Sequence, residues 1–363
     1  MRPTVLTAVL IVSSFPTLAP ASDQPGVVQE EFIFESAPFR ECHASTIVET
    51  PRGLVSAWFG GTREGYPDVG IWLSRQIDGK WSAPGEVANG IQYANPDGSP
   101  HRYPCWNPVL FLPAKGPVLL FYKCGPTPST WWGMLKTSED HGESWSTARR
   151  LPDGILGPVK NKPIQLADGT ILCGSSTELG GWRIHMEWTK DLGRSWFRTG
   201  DLAPGLGAEA IQPCFLKHGG GRLQILCRDQ NDDGELWQAF STNGGKSWSP
   251  LEPSGLRNPN AGTDSVTLKD GRHLLVYNHT NASGSPSGRE MLNVAVSHDG
   301  KRWKAALMLD LKAGAEFSYP AVIQAKDGRV HVTYTWKRKR VKHVVIDPKR
   351  LELRELEGRA WPE

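Results

Sequence analysis

The chain has 363 residues, with 41 Lys and Arg against 38 Asp and Glu, so its formal net charge is +3. Its 39 Gly and 28 Pro would interrupt long helices, which excludes a helical bundle or coiled coil, and a 39% hydrophobic content excludes an unstructured chain. The balanced charge offers no general attraction for nucleic acid, and 15 Trp in a Gly- and Pro-rich chain point to a globular, β-rich protein.

Residues Met1–Ala21 read as a secretory signal. Arg2 supplies the positive start, Val5–Phe15 a mainly apolar run, and Leu18-Ala19-Pro20-Ala21 a small-residue cleavage site. The run is shorter than the roughly 20 apolar residues of a membrane span, and no later segment is long and apolar enough for one. The protein is therefore expected to be exported without membrane insertion, with residues 22–363 forming one domain.

From His43 onward the chain repeats itself about every 50–60 residues. Short β runs open at His43-Ala44-Ser45, Trp106-Asn107-Pro108, Lys162-Pro163, Gln212-Pro213, Asp264-Ser265 and Tyr319-Pro320. They lead to turns at Gly53, Gly116, Gly169, Gly221, Gly271 and Gly328, each followed by another β run. A second turn, closed by tryptophan, follows in most units. It reads Ser138-Glu139-Asp140-His141-Gly142-Glu143-Ser144-Trp145, and recurs around Asp191 to Trp196 and Asn243 to Trp248, with shorter copies ending at Trp81 and Trp303. In such a turn Asp or Asn accepts from nearby backbone N–H groups, Gly takes a positive φ, and Trp packs the turn onto its sheet. Three or four strands per unit, six times over, predict an all-β, six-bladed propeller. Glu31–Glu35 is then expected to supply the outer strand of the last blade and tie the termini together.

The cysteines (Cys42, Cys105, Cys124, Cys173, Cys214 and Cys227) include no Cys-x-x-Cys pair, and neither a metal nor another cofactor is expected. Cys105 and Cys124 flank the Gly116 turn, and Cys214 and Cys227 flank the Gly220-Gly221 turn. In hairpins each pair sits cross-strand, either as a disulfide of an exported protein or as buried thiols. Asn278-His279-Thr280 and Asn281-Ala282-Ser283 fit glycosylation sequons, and Lys337–Arg340 reads as a solvated basic edge that discourages sheet pairing.

The tryptophan-closed turn resembles the Asp-box, or BNR repeat, of the sialidase superfamily, and the resemblance extends over about residues 35–347. It implies a sialidase-like propeller whose pocket is built at first-strand positions facing the axis, with the Asp-boxes themselves acting as turn scaffolding. Sialidases resemble one another in having three arginines that clamp the substrate carboxylate, a Tyr nucleophile with a Glu partner, and an Asp acid. By that resemblance Tyr319 is the nucleophile, Arg228 and Arg289 are clamp arginines, and Asp68, on the Gly60–Asp68 loop, is the acid. Two positions depart. His43 stands where the first clamp arginine is expected, with Arg40 three residues out of register. Gln212 stands where the glutamate is expected, with Glu209 three residues earlier as a substitute.

These residue types suit one another chemically. A carboxylate nucleophile would be repelled by a sugar carboxylate beside the reacting carbon, whereas a phenol is not. The unperturbed pKa of a histidine such as His43 suits proton transfer near neutrality. Trp106 is placed to stack on a sugar face, Asn107 and Gln212 to bond hydroxyls, and Lys162, with Lys160 and Asn161 beside it, to help hold an anion. The resulting expectation is an exported exo-glycosidase that hydrolyses a terminal acidic sugar, sialic acid-like or uronic acid, from an acidic glycan. The two departures also fit a polysaccharide lyase acting on uronic acid-containing glycans, and a propeller that binds carbohydrate without turnover remains a third reading.

Overall fold

The computed structural model describes residues 24–202, 208–230, 234–356 and 360–362; the expected signal segment lies outside the described residues. The turn glycines explain how the chain folds back. Gly53, Gly116, Gly169, Gly221, Gly271 and Gly328 all take φ between 75° and 117°, a region closed to most side chains. Each connects the first and second strands of an antiparallel sheet.

Six such sheets form the blades of a propeller. Blade 1 contains Glu41–Thr50, Gly53–Gly61, Gly70–Ile77 and Lys80–Trp81, with Gly85–Ala88 alongside its third strand. Blade 2 contains Cys105–Phe111, Val118–Cys124, Trp132–Ser138 and Arg149–Arg150, and blade 3 contains Ile164–Gln165, Ile171–Thr177, Arg183–Thr189 and Phe197–Arg198. Blade 4 is built from Ala210–Lys217, Leu223–Asp229, Glu235–Ser241 and Glu252–Arg257. Blade 5 runs Asp264–Thr267, His273–Tyr277, Met291–Ser297 and Trp303–Leu311, extended by Arg354–Glu355. Blade 6 runs Phe317–Gln324, Val330–Trp336 and Arg340–Ile346, and its outer strand is Val27–Phe32 from the start of the described chain. No helix among the described residues is long and apolar enough to cross a membrane.

The outer strand of blade 6 lies a few residues earlier than expected. Phe32 pairs with Lys342 and Glu30 with Val344, while Ile33 and Phe34 turn inward onto Cys42, Trp58 and Val341. Apolar side chains at positions 33 and 34 gain more from that burial than from continuing along a sheet edge.

Neighbouring blades pack face to face through apolar side chains, as where Val276 and Val294 of blade 5 meet Val322, Val332 and Val344 of blade 6. The Asp-boxes fasten the opposite ends of the strands. Asp140 Oδ1 accepts from the N–H groups of Glu143 and Ser144 at 3.1 and 2.8 Å, and the Ser144 hydroxyl holds this carboxyl below the usual carboxylate range. Trp196, Trp248 and Trp303 donate their indole N–H to the carbonyls of Gly193, Gly245 and Gly300 at 2.9–3.1 Å.

Three surface expectations are refined. Cys105 and Cys124 are directly opposite, but in blade 4 the turn pairs Leu216 with Gln224 and so Cys214 with Leu226, one residue short of Cys227, which faces Trp237 on its other side. All six thiols are free and buried. Asn278 is fully buried and donates to the carbonyls of Met291 and Phe317, so the first sequon is inaccessible. Lys337–Arg340 is not merely a solvated edge: Arg338 forms ion pairs with Glu64 and Glu316, and the Arg340 guanidinium lies 3.6 Å from the Phe32 ring centroid.

Candidate functional site

Five blades carry a left-handed residue nine positions before the turn glycine, at Ala44, Asn107, Lys160, Gln212 and Tyr319, and blade 5 carries one at Asn260, eleven before Gly271. All six have φ between 39° and 78°. In blades 1, 2, 4 and 6 the ladder between first and second strands slips at this residue, which marks a bulge. Each costs on the order of 1 kcal/mol or more for a non-glycine residue, and bulges re-aim side chains at functional sites. In blades 3 and 5 the left-handed residue precedes the first strand, at Lys160 and Asn260, and not at Lys162 or Asp264 where the repeat was expected to open.

Tyr319 is the centre of the cluster. Its hydroxyl accepts from Arg228 Nη1 at 2.5 Å and lies 3.5 Å from Gln212 Nε2. Arg228 also donates to Gln212 Oε1 at 3.3 Å and to Asn260 Oδ1 at 3.0 Å, while its Nη2 takes no hydrogen-bond partner among the described residues. The Trp182 ring stacks 4.9 Å from the Arg228 guanidinium, fixing its plane. Arg289, Arg228 and Lys160 place their charges 5.3, 5.7 and 5.7 Å from the Tyr319 ring centroid. Gly262 makes room for this ring: a Cβ there would stand 3.2 Å from Tyr319 Cδ2 and 3.0 Å from Lys160 Cε.

His43 completes the cluster from blade 1. It is 1% exposed, its Nδ1 lies 2.8 Å from the Thr335 hydroxyl, and its ring centroid is 4.1 Å from that of Tyr319. Burial, reinforced by Arg338, Arg289, Lys160 and Arg228, pushes the imidazole well below its ordinary pKa, so it stays neutral.

A chain of ion pairs runs from Arg289 to the blade 1 loop. Arg289 binds Glu316 at 3.1 Å, Glu316 binds Arg338 Nε at 2.9 Å, and Arg338 Nη1 binds Glu64 on the blade 1 loop at 2.5 Å. Burial raises the pKa of Glu178, on the loop that carries Trp182, against the influence of Arg228.

The remaining expected residues divide. Lys160 directs its ammonium to Asn161 Oδ1 and the carbonyls of Thr263 and Pro320, at 2.7–2.9 Å. Lys162 is engaged by Asp264 and the Ser265 carbonyl, both at 2.8 Å. Asp68 is exposed, its Oδ2 accepting from the Thr62 N–H and hydroxyl at 2.9 and 2.8 Å. Glu209 is exposed, beside the Gly181 turn, where a Cβ would stand 3.5 Å from its Oε1. Trp106 is buried with its indole bonded to the Gly125 carbonyl at 2.9 Å, and the Asn107 side chain has no hydrogen-bond partner among the described residues. The structure thus gathers Tyr319, Arg228, Arg289, Gln212, His43 and Lys160 into one cluster. It adds Asn260, Glu316 and Arg338, for which no pattern in the repeat was read.

A family model described as a BNR repeat-like domain matches residues 52–332. No curated protein matches the sequence. A protein of unknown function from Dyadobacter fermentans superposes with a TM-score of 0.70 at 17% identity, covering 92% of this chain and 100% of that one. The NanB sialidase of Streptococcus pneumoniae gives a TM-score of 0.68 at 13% identity, covering 89% of this chain and 71% of that one. Trypanosoma rangeli sialidase, in a covalent intermediate with 2,3-difluorosialic acid, gives 0.63 at 15% identity, covering 85% of this chain and 55% of that one. At these identities the likeness establishes a sialidase-like propeller fold.

Proposed function

The chain belongs to the BNR repeat-like domain family, and we propose that it is an exported exo-glycosidase that removes a terminal acidic sugar from a glycan. The observation that carries this reading is the Tyr319 hydroxyl held at 2.5 Å by Arg228, with the charges of Arg228 and Arg289 5.7 and 5.3 Å from the Tyr319 ring centroid. Arg228 and Arg289 would neutralise the sugar carboxylate, with the free Arg228 Nη2 as the first donor to reach it. Neutral His43, packed against Tyr319, takes the phenolic proton as Tyr319 Oη bonds to the anomeric carbon and the glycosidic bond breaks, and Arg228 stabilises the charge on the phenolic oxygen along the way. The leaving oxygen takes a proton from Asp68, whose Oδ1 has no partner among the described residues. Asp68, now a carboxylate, takes a proton from the water that attacks the anomeric carbon, and Tyr319 departs with the proton returned by His43, which releases the sugar. The covalent intermediate seen in the Trypanosoma rangeli sialidase supports a nucleophile in this fold.

A second reading rests on a specific contact. The Tyr319 hydroxyl bonds no carboxylate among the described residues, whereas the neutral His43 ring packs on the Tyr319 ring with centroids 4.1 Å apart. A neutral imidazole and a phenol beside cations also suit β-elimination from a uronate. His43 would take the proton α to the carboxylate, a C=C bond would form, and Tyr319 would protonate the departing oxygen.

Incubation with a panel of acidic and neutral glycosides, followed by mass analysis, tests both readings. Release of a saturated acidic monosaccharide is expected. An unsaturated product absorbing in the ultraviolet would select elimination, and turnover of neutral glycosides alone would overturn the acidic-sugar reading.

A further inference from the structure

On the face of the propeller away from Tyr319, blades 4 and 5 enclose a groove of about 680 Å³. Its position follows from strand direction. First strands start beside the axis cluster and end at the glycine turns, and third strands end at the Asp-boxes, so both sets of turns lie at the far end. The groove is framed by the first turns and Asp-boxes of these two blades.

Lys217, Arg222 and Lys301 line it, and none forms an ion pair among the described residues. The nearby carboxylates are already engaged: Asp299 by Arg302 Nε at 2.8 Å and by two backbone N–H groups, and Asp270 by Arg272 at 2.7 Å. Charge in the groove is therefore positive and locally unbalanced. The walls are fixed. Gln224 Nε2 donates to Gln238 Oε1 and the Gly300 carbonyl, both at 2.8 Å, so its Oε1 accepts from His218 Nε2 at 2.8 Å. The His218 ring stands edge-on to His273, with centroids 4.5 Å apart. Lys301 lies over Phe240, its Nζ 4.8 Å from the ring centroid.

We propose that this groove is a second binding site, for an acidic polysaccharide carrying carboxylates. It would hold the protein on its polymer while the axis site addresses chain ends. The inference rests on the acidic-glycan reading above for its ligand class, but binding is measured without turnover.

Calorimetry with polygalacturonate, dextran and duplex DNA as probes tests it. Polygalacturonate is expected to bind and dextran not to bind. The triple variant Lys217→Gln, Arg222→Gln, Lys301→Gln is expected to bind polygalacturonate about tenfold more weakly or worse, with turnover of a small soluble acidic glycoside unchanged. Tyr319→Phe is expected to retain polymer binding even if it abolishes catalysis. Undiminished binding by the triple variant, loss of binding in Tyr319→Phe, or equally tight binding of duplex DNA would each overturn the proposal. If no glycoside is turned over while these binding results hold, the catalytic reading fails and the groove stands.

Discussion

His43 and Tyr319 lie at opposite ends of the chain, yet their rings meet with centroids 4.1 Å apart. They meet because blade 6 closes against blade 1, and both residues open their blades' first strands. Burial and four surrounding cations lower the His43 pKa well below 6.5, so the neutral base persists as pH falls through 6.5. Consequently kcat/KM should show no acid limb from His43 between about pH 6 and 7.5, and His43→Gln should lower kcat by about 100-fold across that range. A wild-type limb near pH 6.5 that disappears in His43→Gln would contradict this.

Tyr319→Phe removes one oxygen and keeps the ring against His43 and Gly262. The lost hydrogen bond should cost about 1 kcal/mol of stability, while kcat falls by about 10³-fold or more. Arg228→Lys keeps a charge but loses the planar fork that joins Tyr319, Gln212 and Asn260. A fall in kcat/KM of about 100-fold is expected. Steady-state kinetics beside thermal melts would decide, and near-native turnover by Tyr319→Phe would refute the nucleophile.

Glu316 is shared by Arg289 and Arg338. Removing its charge leaves two half-buried guanidinium groups facing each other, so Glu316→Gln should cost about 2 kcal/mol of stability and raise KM as Arg289 moves. Glu64 is more exposed and only clips the blade 1 loop to Arg338. Glu64→Gln should cost no more than about 1 kcal/mol. Equal effects of the two substitutions in chemical denaturation would show that Glu316 is not the junction of the network.

Acid should destabilise the fold through His331 and His273. Burial, with a neighbouring His343, lowers His331 to about 4, and burial with His218 beside it lowers His273 to about 4. Between pH 6.5 and about 4 the unfolded chain therefore binds more protons than the folded one, and stability falls as pH falls through that window. His331 should contribute on the order of 2 kcal/mol of this loss. Melting curves from pH 7 to 4 should flatten in His331→Gln; an unchanged slope would remove His331 as a cause.

Much of the fold was legible because turn chemistry is local. Gly116 or Asp140 needs only its neighbours to declare a turn, and recurrence at regular spacing revealed the blades. The positions of Tyr319 and Gln212 were legible for the same reason, each opening a first strand just before a proline, while their expected roles rest on the resemblance to sialidases. The ion-pair chain was not. Arg338 sits in a basic run that reads as surface, and only closure of blade 6 on blade 1 brings it to Glu64 and Glu316. Lys162 and Lys160 show the opposite difficulty: both open blade 3 in sequence, but a left-handed residue at 160 sends one ammonium to the axis cluster and leaves the other with Asp264.

Closure itself gives the last prediction. Val27–Phe32 covers the outer N–H and C=O groups of Arg340–Ile346, and Val27 is buried in the core shared with blade 5. Glu31 also accepts from Trp81 Nε1 and lies against His343 Nδ1, both at 2.9 Å, joining blades 1 and 6. Without this strand an apolar edge would lie open to pairing with another chain, and the two closing blades would lose a common tie. Deleting residues 24–32 should lower Tm by roughly 10 °C or more and promote aggregation, whereas Glu31→Gln alone should cost about 1 kcal/mol. A deletion variant that stays monomeric and melts cooperatively within a few degrees of the intact chain would show that the inner strands close the propeller unaided.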